Sequence, residues 1–432
     1  MDRRAFGTVL AGATAGLFTP LRIQAPRQIN GERLNGYLDV LKDFGATVGG
    51  GISRVAYSEA DLAAREFVSG LMRGAGLEVS VDLAGNLLGT FPGTEAGLMP
   101  LIIGSHIDSV PEGGNYDGQV GSMAAVEVAQ TISDLGLSLR HPLTVVIFQN
   151  EEGGKTGSRA WSGEVEPHEL DIVTASGKTI RDGTQLLGGS PEQLEEAVRQ
   201  PGSVAGYLEL HIEQGAVLHR ASIDIGVVEG IVGIKRWNVT VQGSANHAGT
   251  TPMDARQDAM IGAGEFILAA NRVARTRSGR QVATVGRIAA FPGAPNVIPG
   301  RVELSLEVRD LSMESIDQVF EAIVAEANAI GPRTGTTFDF SQFYVSRAAP
   351  TDERFRDWIA ASADELGLSR RSMPSGAGHD AQSVALLGPV GMIFVPSVDG
   401  ISHSPREYTE AEDTVNGANV LLNALLKVDG RV

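Results

Sequence analysis

Two short runs, Leu101-Ile-Ile-Gly104 and Leu143-Thr-Val-Val-Ile-Phe148, flank the segment Ser122–Leu135, whose Ala, Val and Ile residues recur at helical spacing. Apolar runs this short and continuous, with Thr144 the one polar residue of the second, are the pattern of strands buried on both faces of a parallel sheet. Strands alternating with helices in this way predict a doubly wound α/β sheet. Upstream, Asn30–Phe44 and Glu59–Gly74 read as amphipathic helices separated by the turn Gly49-Gly50-Gly51. Leu77–Val81 and Leu87–Phe91 read as a hairpin about Gly85-Asn86. Far downstream, Met392–Val395 returns to a buried strand and Glu410–Val428 to a helix.

Between these the pattern changes. Lys235–Gln242 alternates, Asp254–Val273 is helical, Val282–Phe291 and Arg301–Arg309 are strands, Met313–Ile330 is helical and Thr336–Phe340 is a strand. That is β-α-β-β-α-β, the ferredoxin-like order. The chain is therefore expected to divide into a first domain over 26–226 and 343–432, with a second α+β domain inserted over 227–342. Its 432 residues exceed the usual size of one compact domain and agree with two.

Apolar residues make up 42% of the chain and charged residues 20%, which excludes a largely disordered protein. The net charge of −17 argues against wrapping nucleic acid or lying on anionic lipid. There is no cysteine, so disulfides, thiolate metal sites and a cysteine nucleophile are excluded. Any metal must be held by His, Asp and Glu. The N-terminus opens with Arg3-Arg4-Ala-Phe6 and a mild apolar stretch from Gly7 to Phe18. That pattern resembles a twin-arginine export signal over 1–25 and predicts a periplasmic protein, the alternative being a cytoplasmic one with an N-terminal arm. The stretch is too short to span a bilayer.

The chemistry-bearing segments are polar or rich in glycine, and several follow apolar strands, where open α/β sheets place their sites. Gly104-Ser-His106-Ile-Asp108 leaves the first strand, and Asp117-Gly118 follows. His106 can offer a nitrogen to a metal, Asp108 can hydrogen-bond the other nitrogen, and Asp117 could place its two oxygens on two metals. Glu151-Glu152-Gly153 follows the second strand, so one carboxylate can bind metal while the other accepts a proton. His211 in Glu209-Leu-His211-Ile-Glu213-Gln214 and His403 in Ser402-His403-Ser-Pro405 complete a set of donors for two divalent ions. Such a pair of ions activates water and polarises a carbonyl. His141, His168 and His219 sit in polar contexts and are expected at the surface. No phosphate-binding loop or nucleophile elbow is present.

Taken together, these motifs resemble the dinuclear-metal amidohydrolases that include N-carbamoyl-L-amino acid hydrolase, allantoate amidohydrolase and β-ureidopropionase, a branch of the aminoacylase and carboxypeptidase superfamily. The stretches Glu209–Gly215, His247–Met253 and Gly376–Ala381 carry the likeness to this branch. The resemblance implies a catalytic α/β domain and an inserted lid that also forms a homodimer. It implies His106, Asp117, Glu152, His211 and His403 as ligands of two zinc ions, or of manganese or cobalt, with Asp117 bridging. Glu151 resembles the general base, Asp108 the partner of His106, and His247 the lid histidine that stabilises the oxyanion, often of the neighbouring subunit. Gln214, Asn296 and Arg309 resemble substrate contacts, Arg309 taking the carboxylate, and His379 resembles a pocket residue. After Glu152 the run Gly153-Gly154-Lys155-Thr156-Gly157-Ser158 is shorter than in many relatives, and that loop borders the pocket.

The expected activity is hydrolysis of the ureido C–N bond of a small anionic substrate, releasing ammonia and carbon dioxide. A dipeptidase or aminoacylase cleaving an ordinary amide would share every metal ligand. A non-catalytic exported binding protein would be expected to lack a ligand or the base, and all are present. For Arg309, the competing role is an ordinary ion pair with Glu307 or Asp310.

Overall fold

The computed structural model describes residues 26–432. The expected export signal over 1–25 lies outside the described residues.

The main sheet has nine strands. Its centre runs Leu143–Phe148, Leu101–His106, Gly206–Ile212, Val390–Val395, and all three junctions are parallel. Every residue of these four strands is buried. Alternate side chains enter two different cores. Leu101, Ile103, Val145, Ile147, Leu208, Leu210, Ile393 and Val395 face one, while Ile102, Val146, Phe148, Tyr207, Met392 and Phe394 face the other. This two-residue alternation between two apolar layers explains the unbroken hydrophobic runs in the sequence. The sheet is a mixed one. The predicted hairpin, Glu78–Val81 with Leu87–Phe91, adds to Leu143–Phe148 in antiparallel fashion. At the other side, Ile225–Ile231 pairs antiparallel with Val390–Val395 and with Ala349–Pro350, but parallel with Arg370–Ser375. The parallel, doubly wound arrangement thus describes the centre and not the flanks.

Helix and sheet meet at backbone contact. A Cβ at Gly121, in the first turn of the helix Gln119–Asp134, would lie 2.0 Å from the Leu210 carbonyl oxygen. Gly104, at φ +151°, leaves no room either, since its Cβ would lie 1.9 Å from the Val146 carbonyl. These approaches bring the start of that helix, the end of Leu101–His106 and the end of Gly206–Ile212 together.

The second sheet is antiparallel, in the order Thr337–Ser346, Gly233–Gln242, Arg301–Asp310, Val282–Phe291. Helices Ala259–Thr276 and Met313–Thr334 pack on one face around Phe266, Val302, Leu304, Leu306 and Ile323. Trp237 stacks on Phe320 with centroids 4.0 Å apart and planes 3° from parallel. The first of these helices begins later than the spacing predicts. Asp258 caps it by accepting the Met260 N–H, and Met253–Ala255 forms a separate 3-10 turn. Two corners of the insertion differ from expectation in length: Ile225–Ile231 runs past residue 227 within the main sheet, and Thr337–Ser346 runs past residue 342. A two-stranded ribbon, Asn246–His247 with Val297–Ile298, was not visible in the pattern, because two-residue strands carry no periodicity. His141, expected at the surface, is instead 2% exposed and pairs with Asp429 at 3.1 Å. The carboxylate, itself on the C-terminal helix, also accepts the backbone N–H groups of Arg140 and His141, so the polar context in sequence was a buried tie.

The glycine contacts give a test by sign. Gly121→Ala should lower stability by about 1–3 kcal/mol, the usual cost of overpacking. Gly36→Ala, in the helix Gly31–Leu41 with nothing within 4 Å of its Cβ, should raise stability by about 0.5–1 kcal/mol. Urea midpoints of the two variants against the parent measure both.

Candidate functional site

The donors gather at the carboxyl ends of the parallel strands. His106 closes Leu101–His106, Glu151 and Glu152 follow Leu143–Phe148, and His211 lies at the end of Gly206–Ile212. Asp117 precedes Gly118, whose φ of +77° starts the helix Gln119–Asp134. A Cβ on Gly118 would lie 2.3 Å from the His106 ring, so glycine is what allows Asp117 and His106 to sit side by side.

Asp117 divides the cluster. Its Oδ1 lies 3.3 Å from His211 Nε2 and 3.7 Å from His106 Nε2. Its Oδ2 lies 3.4 Å from His403 Nε2, which is in turn 3.5 Å from Glu152 Oε2. Two groups of donors result, His106–Asp117–His211 and Asp117–Glu152–His403, each with its ligand atoms within 4.8 Å of one another. His106 donates Nδ1–H to the Asp108 carbonyl at 3.1 Å, and His211 donates Nδ1–H to the Ile212 carbonyl at 2.9 Å. Both Nε2 lone pairs therefore face a carboxylate oxygen, a repulsive arrangement unless a cation or proton stands between them. Donors each about 2.1 Å from a common tetrahedral ion lie about 3.4 Å apart, so the spacing fits a divalent metal.

The electrostatics agree. Burial and the neighbouring carboxylates of Asp117 and Glu151 push Glu152 up to about 8. Burial also raises Glu151, with His106 and Lys155 opposing it. Asp117 is held well below the usual carboxylate range: burial works against its ionisation, and His211, His403 and His106 outweigh that. His403 is raised to about 9, chiefly by its contact with Asp117. Carboxylates this crowded and buried require positive charge, and the histidines supply it as protons where no metal does.

Asp108 stands beside His106, as expected, and makes further contacts. Its carboxylate accepts the backbone N–H groups of Glu151 and Glu152, at 3.2 and 3.1 Å, and stands 3.5 Å from His106 Nδ1. It therefore ties the end of Leu101–His106 to the end of Leu143–Phe148. Gln214 donates to Asp117 Oδ2 at 2.5 Å and lines a cleft of about 540 Å³ together with Arg309. Arg309 makes the anticipated ion pair, Nε to Glu307 at 2.7 Å, its Nη1 donates to the Gly376 carbonyl, and the residue lines the cleft. His379 is buried, edge-on to His211 with centroids 4.4 Å apart, and bonded to the Ser375 hydroxyl. Burial and the neighbouring His211 hold it well below the usual histidine range, hence neutral. His247 and Asn296 are brought together on the short ribbon, where Ala248 N–H donates to the Asn296 carbonyl. Among the described residues, no hydrogen bond or ion pair joins either of them to the donor cluster.

Two residues escaped the sequence reading. Glu407 is 5% exposed and accepts from four groups: the backbone N–H of Tyr116 and Asp117 on Oε1, and Ser402 Oγ and the His403 N–H on Oε2. One carboxylate thus orients donors that are 286 positions apart in the chain, Asp117 and His403. Its position four residues after His403 was the available signal, but its partners were not legible. Lys155 lies in the shortened loop with φ +57°, donates to the Gln382 side chain, and would stand 3.2 Å from a Cβ at Gly378. The short loop therefore sets an ammonium near Glu151 and the Gly376–His379 segment.

A parallel-centred α/β sheet bearing paired imidazole and carboxylate donors at its strand ends defines a class of proteins built to hold cations beside a cleft. Within it, the chain belongs to the peptidase family M20/M25/M40, whose model matches residues 102–427. It is 40% identical over 402 residues to an N-carbamoyl-L-amino acid amidohydrolase of Geobacillus stearothermophilus, covering 92% of this chain and 98% of that protein. It is 33% identical over 398 residues to an allantoate amidohydrolase of Bacillus subtilis, covering 91% and 96%. Its fold matches a crystal structure of an amidase of the hydantoinase/carbamoylase family from Burkholderia multivorans with a TM-score of 0.85 and 34% identity, covering 93% and 98%.

Glu407→Ala should weaken metal retention roughly 10–100-fold, as loss of an outer-shell partner typically does. Competition with a chromogenic chelator measures it; retention equal to the parent would remove Glu407 from the site.

Proposed function

We propose that the chain is a metal-dependent amidohydrolase that cleaves the ureido C–N bond of a small carboxylate, such as an N-carbamoyl-L-amino acid or allantoate, releasing ammonia and carbon dioxide. The observation that carries this reading is the near full-length likeness to an N-carbamoyl-L-amino acid amidohydrolase, on a chain that keeps the complete His and carboxylate donor set beside a cleft lined by Arg309 and Gln214. His106, Asp117 and His211 would hold one divalent ion, and Asp117, Glu152 and His403 a second, zinc, manganese or cobalt all suiting such donors. Ions bound there supply Lewis acidity toward the ureido carbonyl and make water more acidic.

The chain's own groups do the rest. Glu151, anchored through its backbone N–H to Asp108, accepts a proton from the attacking water and delivers it to the leaving nitrogen. Arg309 presents its guanidinium to the substrate carboxylate, with its Nε and Nη1 already fixed by Glu307 and Gly376. Gln214 orients the ureido group from the cleft wall. His247 is set up as a donor, because its Nδ1 accepts the N–H groups of Gly249 and Thr250 and the ring proton therefore sits on Nε2. That proton suits a developing oxyanion. In this reading residues 227–342 act as a lid and as a homodimer interface, and His247 with Asn296 reaches a site by lid movement or from the partner subunit. Arg3 and Arg4 would direct export of the folded, metal-loaded enzyme.

Ammonia release from N-carbamoyl-L-amino acids and allantoate, run beside dipeptides and N-acyl amino acids with each metal restored, tests the activity. Turnover of the ureido substrates is expected, and turnover of amides alone would make the protein a peptidase or aminoacylase. Glu151→Gln should retain metal and lose roughly 10²–10⁴ in kcat. Mixed His247→Ala and Glu151→Gln subunits should recover activity in up to about a quarter of sites if the site is shared across a two-fold axis. No recovery after confirmed exchange would place His247 in its own subunit's site.

A further inference from the structure

The cleft that holds Gln214 and Arg309 contains more positive charge than one carboxylate needs. Arg280, Arg309 and Arg371 all line it, in a protein whose net charge is −17. The three come from separate elements: Arg280 lies just before the strand Val282–Phe291, Arg309 on Arg301–Asp310, and Arg371 on Arg370–Ser375. The acidic groups nearby are largely committed. Glu213 also lines the cleft, but its two oxygens accept the N–H groups of Val217 and Leu218 at 2.8 and 2.7 Å. Glu307 is shared between Arg236 and Arg309, and Glu229 pairs with Arg280. The Arg371 guanidinium has no hydrogen bond or ion pair among the described residues and is exposed to the cleft side of its strand end. Gln214 lines the cleft and also donates to Asp117, so the cleft lies next to the donor cluster.

We infer that the preferred substrate carries a second anionic group, an N-carbamoyl amino acid with an acidic side chain, whose distal carboxylate is received by Arg371 with Arg280 beside it. This rests on the ureido-hydrolase reading above and names the substrate class within it. With Arg309 taking the α-carboxylate, a single-acid substrate would leave Arg371 facing the cleft without a partner. A second carboxylate supplies that partner by charge-assisted hydrogen bonds.

The test compares N-carbamoyl-L-glutamate with its neutral isostere N-carbamoyl-L-glutamine on the metal-loaded full chain. The acid should be favoured roughly 10–100-fold in kcat/KM, as expected for a bond between charged partners. The preference should shrink in 0.5 M salt, about where screening cuts off exposed charges. Arg371→Gln should bring the acid-to-amide ratio near one, and Arg280→Gln should lower it in part. Calorimetric binding of the two compounds to Glu151→Gln protein should show the same order of affinity without turnover. Turnover of both compounds at a ratio near one, or a ratio unmoved by Arg371→Gln, overturns this inference and leaves the ureido activity standing. Absence of turnover with any ureido substrate overturns the activity and this inference with it.

Discussion

The structure depends on a buried carboxylate, Asp117, being faced from both sides by imidazoles. Its oxygens point to opposite groups of donors, so the two halves of the cluster cannot be arranged independently. Burial makes the charges costly, and the cost is offset only if cations or protons stand among them. That requirement organises the surrounding backbone. Asp108 spends its carboxylate on the N–H groups of Glu151 and Glu152, and Glu407 spends its own on Asp117, Ser402 and His403. These ties link two strand ends, the start of a helix and a C-terminal loop into one frame, which fixes the donor atoms relative to one another.

The same frame explains where glycine is demanded. Gly118 lets Asp117 approach the His106 ring, and Gly121 lets the helix behind it touch the strand that carries His211. Were either position to carry a side chain, the helix would move away from the sheet and the two ligands would separate with it. Packing and function are therefore coupled at the first turn of a single helix. The second sheet is built on a separate apolar core, with Phe266 and the Trp237–Phe320 stack, and contributes to the cleft through Arg309. Arg309 is held by a neighbour on its own strand and by the Gly376 carbonyl of the main sheet's side, so it bridges the two cores at the cleft.

Much of this was legible in the residues themselves. The apolar runs Leu101–Gly104 and Leu143–Phe148 have the length and composition of strands covered on both faces, and the 3.6-residue spacing between them is that of a helix. His106, Asp117, Glu151, Glu152, His211 and His403 stood out because they lie at or beyond the ends of apolar strands, where an open α/β sheet places its site. The alternation of Val302, Leu304, Leu306 and Val308 likewise announced a one-faced antiparallel sheet. These are local properties, decided by period and composition over a few residues.

What the tertiary structure decided is everything that depends on which distant segments meet. The antiparallel flanks of the main sheet, the burial of His141 against Asp429, the role of Asp108 as a clasp on a neighbouring strand end, and the four bonds to Glu407 involve partners tens to hundreds of residues away. The gathering of Arg280, Arg309 and Arg371 about one cleft is of the same kind. Hydrogen bonds and charges act over a few ångströms in space, while sequence spacing reports only neighbours along the chain. The chain alone therefore determined its elements and its donors, and only folding determined which carboxylate clasps which strand and where the arginines converge.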